Sequence, residues 1–243
     1  MKPDVRIFDN LDSLSQAAAE LFVKTCAQAI AERERFLVAL SGGNTPMELY
    51  KLLAHSPHRE QMDWEHVHVF WGDERCVPID DPENSYRQAR DVLLDRVSIP
   101  MENIHRIQSD LEPVAAAEEY ARVLEKFSTP PLDWPRFDLI LLGMGEDGHT
   151  ASLFPGSAIN VSAPTLGVVA HYQNRPANRV TLTPLVLNTA YRIVFLVSGA
   201  SKSQTLADVL YGENQPEKLP AQRIRPTDGE LIWMADKLAA SKL

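Results

Sequence analysis

The sequence predicts an α/β protein with a mostly parallel sheet covered by helices on both faces. Three observations predict it. Short continuous apolar runs such as Phe36-Leu37-Val38-Ala39-Leu40, Leu139-Ile140-Leu141-Leu142 and Ile193-Val194-Phe195-Leu196-Val197 suit strands buried on both faces. Segments of helical periodicity lie between them, and that alternation gives a parallel sheet flanked by helices. Each run ends in a glycine- or charge-rich turn, and right-handed crossovers carry the turns after parallel strands to one edge. With 243 residues, 44% of them hydrophobic, one domain over 1–243 with a proper core is expected.

Asp12 to Arg35 carries Leu14, Ala17, Ala18, Leu21, Phe22 and Thr25 at three- and four-residue steps, the spacing of an amphipathic helix. The strand Phe36–Leu40 leads into Ser41-Gly42-Gly43-Asn44-Thr45-Pro46. Here Thr45 can cap a helix, with Pro46 in its first position and Glu48 completing a capping box. A glycine turn feeding a helix start presents free backbone N–H groups and a positive dipole end, which suits a phosphate. No G-K-[ST] follows, so the turn is not a P-loop and ATP is not implied. Val67–Trp71 is the next strand, and Gly72-Asp73-Glu74-Arg75-Cys76-Val77-Pro78 is expected to be a loop at its end. Asn84-Ser85 starts a helix through Tyr86, Ala89, Val92, Leu93 and Val97, and a second helix runs from Pro113 to Phe127.

The centre of the chain is Phe137 to Thr150. An apolar strand breaks into Gly143, Gly145 and Gly148, then reaches His149. Glycines at a strand's C-terminal end let the backbone turn sharply and let a ligand approach, and that edge is where open α/β sheets bind ligands. His149 is therefore a candidate active-site residue. Gly143-Met144-Gly145-Glu146-Asp147-Gly148 also matches the dinucleotide fingerprint G-x-G-x-x-G. That fingerprint needs a long helix after it and an acid about 20 residues on. Pro155 and Gly156 interrupt the first requirement, and no Asp or Glu occurs between His149 and Ala207, so a dinucleotide is not implied.

Leu166–Ala170 and Arg179–Thr183 follow as strands, with Pro184 starting a short helix. Ser198-Gly199-Ala200-Ser201-Lys202 ends the strand 193–197 and turns into a helix over Thr205–Leu210, and Leu231–Met234 is a last strand. Loops 41–46, 72–78, 143–150 and 198–202 should then converge at one edge.

Composition narrows the partners. A net charge of −9 argues against nucleic acid or an anionic membrane. The acid-free segment 149–207 carries only Arg175, Arg179, Arg192 and Lys202 as formal charges, which suggests a small anionic ligand. Cys26 and Cys76 form no C-x-x-C pair, so neither a disulfide framework nor a cysteine zinc site is expected and a reducing cytoplasm fits. The N-terminus lacks the apolar core of a signal peptide, and no apolar run approaches the roughly 20 residues of a membrane span. The His and acid positions lack metal-ligand spacing, so no metal or other cofactor is expected. Nothing in the sequence fixes an oligomeric state.

Ser41-Gly42-Gly43-Asn44-Thr45-Pro46, Trp71-Gly72-Asp73-Glu74-Arg75, Asn84-Ser85-Tyr86, Leu141 to Pro155 and Arg179-Val180-Thr181-Leu182-Thr183 together resemble the 6-phosphogluconolactonase family, over nearly the whole chain and in family order. The first and fourth motifs are shared in looser form with glucosamine-6-phosphate deaminases. The resemblance implies a three-layer Rossmann-like fold and a small sugar-phosphate lactone as substrate. It implies hydrolysis of 6-phosphoglucono-1,5-lactone to 6-phosphogluconate in the oxidative pentose phosphate pathway. A same-fold amino-sugar-phosphate isomerase or deaminase and a non-enzymatic sugar-phosphate sensor are the alternatives. Many members carry a lysine before the Arg-x-Thr-Leu-Thr motif, whereas here Arg175 stands one position away. For the lactone chemistry, His149 is the expected general base, Asp147 an orienter of the imidazole or of the loop, Arg75 the oxyanion stabiliser and Asp73 a holder of Arg75 or of a sugar hydroxyl. Gly42, Gly43, Asn44 and Thr45, with Arg179 and Lys202, are expected to hold the 6-phosphate, and Gly145 to line the substrate site.

Overall fold

A computed structural model describes residues 3–158 and 160–243. Six strands form one sheet in the order β1-β9-β8-β5-β2-β3, all neighbours parallel. They are β1 (Asp4–Phe8), β2 (Phe36–Leu40), β3 (Val67–Trp71), β5 (Leu139–Leu142), β8 (Arg192–Val197) and β9 (Glu230–Asp236). Every residue of β2 and β5 is buried, as the continuous apolar runs require. The edge strand β1 was not evident from the sequence: it is half exposed and too polar to stand out.

The remaining strands depart from the single-sheet expectation. β4 (Asp73–Arg75), β6 (Thr165–Val169) and β7 (Asn178–Leu182) make a separate antiparallel sheet in the order β4-β7-β6. The segment expected as a loop after β3 is therefore a short strand. β6 and β7 are joined by a hairpin, and a parallel pairing would have needed a crossover of a dozen or more residues. Gly72 joins the two sheets: its N–H donates to Leu40 O and its carbonyl accepts from Leu182 N.

Helices α1 (Leu11–Arg33), α2 (Asn44–Leu53), α3 (Ser85–Val92), α4 (Pro113–Glu125), α5 (Pro184–Leu187) and α6 (Ser203–Tyr211) complete the fold. α1 begins on a capping box between Asn10 and Ser13 and ends at Glu34, whose φ of 61° is left-handed. α2 corrects one expectation. Its N-cap is Gly43, at φ 95°, with no side-chain cap, so Thr45 lies inside the helix and the Thr45–Glu48 box does not form. Glu48 pairs instead with Lys51. α3 stops at Val92, short of the expected Val97, because Leu93 leaves helical geometry at φ −129° before a short 3₁₀ turn.

At the β3 edge of the sheet, His68 and His105 stack, with ring centroids 5.5 Å apart and His68 Nδ1 3.2 Å from His105 Nε2. Phe70 and Phe127 pack against them. Burial pushes His105 down to about 4, with His68 and Lys126 adding to it. Burial, then Arg35 and His66, also lower His68. Both folded values lie below the unfolded one, so the unfolded chain binds protons first as pH falls. The stability held by the neutral pair is complete above about pH 6.5 and is lost as pH falls toward the folded values. The thermal midpoint should therefore drop between neutral pH and pH 4.5. A His105→Gln variant should drop by less. An equal drop in both proteins would place the acid sensitivity elsewhere.

Candidate active site

A cleft of about 390 Å³ opens beyond the C-terminal ends of β2, β5 and β8. Ser41–Pro46, Asp73, Arg75, Gly143–Gly145, His149, Tyr172, Arg175, Arg179, Ser198 and Lys202 are among its lining residues. All four loops named from the sequence contribute to it. Of the expected site residues only Asp147 is not part of the wall.

The central loop is closed by its own backbone. Gly145 N–H donates to His149 O at 2.8 Å and Gly148 N–H to Gly145 O at 3.1 Å, with Gly148 at φ 80°. Thr150 Oγ1 donates back to Gly143 O at 2.9 Å. This turn folds Asp147 against His149: Asp147 Oδ1 accepts from His149 N at 3.1 Å and lies 2.6 Å from Nδ1. A Cβ on Gly145 would stand 2.0 Å from His149 Nδ1 and 2.5 Å from Asp147 Oδ1, so the histidine–aspartate pair occupies the space a side chain would need.

The imidazole is held on its other sides by aromatic rings. Phe154 stacks on it at 4.4 Å between centroids, and Tyr172 meets it edge-on at 4.7 Å. Burial alone would raise the Asp147 carboxyl, but the hydrogen bond from His149, joined by that ring's charge whenever it is protonated, outweighs burial and holds the value below the ordinary carboxylate range. In the neutral ring, an ionised Asp147 places the single proton on Nδ1. Nε2 keeps its lone pair and bonds to no group among the described residues.

The facing wall is cationic. In the β4–β7 pair the Cα of Arg75 lies opposite that of Arg179. Like charges directly across a ladder are unfavourable. Both side chains are also buried, at 6% and 3% exposure. Arg75 Nη1 donates to Glu83 O at 2.6 Å and Arg179 Nε to Pro176 O at 3.0 Å. Arg75 Nε and Arg179 Nη2 are buried without a partner among the described residues. Burial lowers the Arg179 pKa from its ordinary value, with Asp73 opposing the shift and Arg75 and Arg175 adding to it. An anion in the cleft would satisfy spare donors and relieve the repulsion. Asp73, between these cations and the central loop, accepts from Ser152 Oγ at 2.7 Å.

Lys202 ends a short 3₁₀ turn after β8 and makes no side-chain hydrogen bond or ion pair among the described residues. Burial lowers its pKa, against Glu146 and Asp147. In loop 41–46, Gly43 N–H is already engaged by Gln88 Oε1 at 3.2 Å, so it is not the free donor expected of this turn. Arg175 lines the cleft and sits 3.7 Å from Glu83, which Arg75 approaches at the same distance. Among the described residues no group of three or more His, Cys, Asp or Glu side chains could hold a metal ion. No helix there is long and apolar enough to cross a membrane.

Phe154, Tyr172 and Gln88 were not singled out as site residues by the sequence. The first two are ordinary aromatics in irregular segments, and only the tertiary fold brings them to His149. Gln88 lies one turn into a helix with nothing to mark it.

Comparison with known proteins matches the glucosamine-6-phosphate isomerase/6-phosphogluconolactonase family model over residues 9–233. The chain is 42% identical over 245 residues to the 6-phosphogluconolactonase of Synechocystis, covering 100% of this chain and 99% of that one. Among solved structures, one described as devB protein superposes with a TM-score of 0.90 at 36% identity, covering 99% of both chains. The 6-phosphogluconolactonase of Thermotoga maritima gives 0.83 at 29% identity, covering 97% of this chain and 100% of that one. Fold, motif order and full-length similarity agree: the chain belongs to the glucosamine-6-phosphate isomerase/6-phosphogluconolactonase family.

Proposed function

We propose that this protein hydrolyses 6-phosphoglucono-1,5-lactone to 6-phosphogluconate, a step of the oxidative pentose phosphate pathway, and that His149 is its general base. The carrying observation is His149, held by Asp147, in the same cleft as two buried, directly opposed arginines. One part of that arrangement can take a proton, and the other can hold negative charge. The lactonase names among close relatives support this substrate over an amino sugar.

Water attacks the lactone carbonyl carbon as His149 Nε2 takes its proton. Negative charge moves to the carbonyl oxygen, where Arg75 stabilises it. The tetrahedral intermediate then collapses, the bond from the carbonyl carbon to the ring oxygen breaks, and His149 returns the proton to that oxygen. Asp147 stabilises the imidazolium between the two transfers. Asp73 binds a sugar hydroxyl or orients Arg75. The 6-phosphate rests against Gly42–Thr45, Arg179 and Lys202, far enough from the carbonyl that its charge does not change in the reaction.

The test is to supply the lactone and glucosamine-6-phosphate separately and follow both products, after subtracting spontaneous lactone hydrolysis. Acid release with formation of 6-phosphogluconate is expected from the first, and no ammonia from the second. Ammonia release without lactone turnover overturns the proposal. Dialysis against EDTA should leave the rate unchanged, because each step uses side chains alone. A loss restored by zinc or magnesium would contradict this mechanism.

A further inference from the structure

We infer that Glu74, which has no place among the substrate-contacting groups, is a positioning residue that sets the geometry of both walls of the cleft through helix α3. The inference rests on the lactonase reading above. Glu74 lies between Asp73 and Arg75 in β4, and successive strand residues point to opposite faces, so its side chain leaves the cleft as theirs enter it. It is 1% exposed. Its Oε1 accepts from Arg75 N at 2.8 Å and from Ser85 N at 2.7 Å, and its Oε2 accepts from Tyr86 N at 2.8 Å. The last two are the first N–H groups of α3, which lack partners within the helix. Burial pushes the carboxyl up to about 7, against these three donors and Arg75. All three contacts need an acceptor lone pair, which ionised carboxylate oxygens supply and an amide nitrogen does not.

What α3 does next connects Glu74 to the opposite wall. Ser85 lies directly under Gly42: a Cβ on that glycine would stand 2.3 Å from Ser85 Oγ. One turn further on, Gln88 Oε1 accepts from Gly43 N. The Gly42–Gly43 turn that starts α2 is therefore seated on α3, and α3 is seated on Glu74. Arg75 grips the same junction from the cleft side, through Nη1 to Glu83 O. A single carboxylate thus fixes the backbone of Arg75 and, through two residues of α3, the turn proposed to receive the phosphate.

Three variants test this on 6-phosphoglucono-1,5-lactone and on glucono-1,5-lactone, which lacks the phosphate. Glu74→Gln puts an amide nitrogen against a backbone N–H. It should raise KM and lower kcat on the phosphorylated lactone by about tenfold each, because the side chain displaced by that N–H against N–H contact holds both Arg75 and α3, at a cost of the order of one lost buried hydrogen bond. On glucono-1,5-lactone only the kcat loss should appear. Gln88→Ala cuts only the last link and should raise KM for the phosphorylated lactone several-fold with kcat unchanged. Ile232→Ala, in β9, should lower the thermal midpoint without altering the ratio of the two substrates. If Glu74→Gln lowers the midpoint yet leaves both kinetic constants as in Ile232→Ala, Glu74 is merely structural and the inference fails. If Glu74→Gln does not fold, Gln88→Ala decides: no change in KM overturns the inference. An inactive parent protein would overturn the lactonase reading instead, which keeps the two failures apart.

Discussion

His149→Ala should lower kcat by about two to four decades with little change in KM, the usual worth of a positioned general base. The expectation follows from the tautomer. Asp147 Oδ1 is 2.6 Å from Nδ1, so the lone pair is on Nε2, the only ring atom free to meet a water. In the proposed mechanism the imidazole meets the attacking water and the ring oxygen only during the reaction, so the loss should fall on the chemical step. Asp147→Asn should give a smaller fall in kcat, because an amide can present a donor to Nδ1 and favour the wrong tautomer. It should leave KM nearly unchanged as well. Activity of His149→Ala within a factor of a few of the parent would remove His149 from the mechanism. A rise in KM with kcat preserved would make it a binding residue. Spontaneous hydrolysis of the lactone must be measured alongside, since it sets the floor of the assay.

The histidine could be singled out from the sequence because three glycines and a strand end preceded it, and such a loop has few structural uses. Its bond to Asp147 could not. Two residues apart, the pair can meet only if the backbone closes on itself, and the Gly145–His149 and Gly148–Gly145 hydrogen bonds that close it appear only in three dimensions. The buried strands were legible for a related reason: β2, β5 and β8 are covered on both faces, so apolar runs mark them directly. Of the small antiparallel sheet, β6 and β7 were legible as strands, but β4 and the separate pairing were not. β4 is three charged residues, and charge at a strand end ordinarily signals a solvated loop. Here all three are buried because each has a task that burial serves: Asp73 accepts from Ser152, Glu74 accepts from the first two N–H groups of α3, and Arg75 enters the cleft. The charge pattern was visible, but its meaning depended on β7 arriving from about a hundred residues away. The Thr45 cap failed for the opposite reason. Its local signals were good, but Gly43 could adopt a positive φ and start the helix sooner.

The phosphate contacts should separate from the chemistry in the same way. Lys202→Ala is expected to raise KM for 6-phosphoglucono-1,5-lactone by about one to two decades and to spare kcat, since a charged contact is worth roughly 1.5–3 kcal/mol. The phosphate keeps its charge while the lactone opens, so an interaction with it is equal in the ground and transition states. Lys202 is the cleaner probe because no described residue pairs with its ammonium, and its removal strands no partner. Arg179→Ala should move KM in the same direction with an added cost. Arg179 also holds Pro176 O at 3.0 Å and lies 5.3 Å over the Phe154 ring, on which His149 stacks. Losing it should loosen the support of the imidazole and lower kcat several-fold as well. Glucono-1,5-lactone distinguishes the two routes. It should be a poor substrate for the parent and indifferent to Lys202→Ala, while Arg179→Ala should still lose the share of rate that passes through Phe154. Equal losses on both lactones for Lys202→Ala would show that Lys202 is no phosphate ligand. No effect on either would make it a solvated cation at the rim, despite the burial that lowers its pKa.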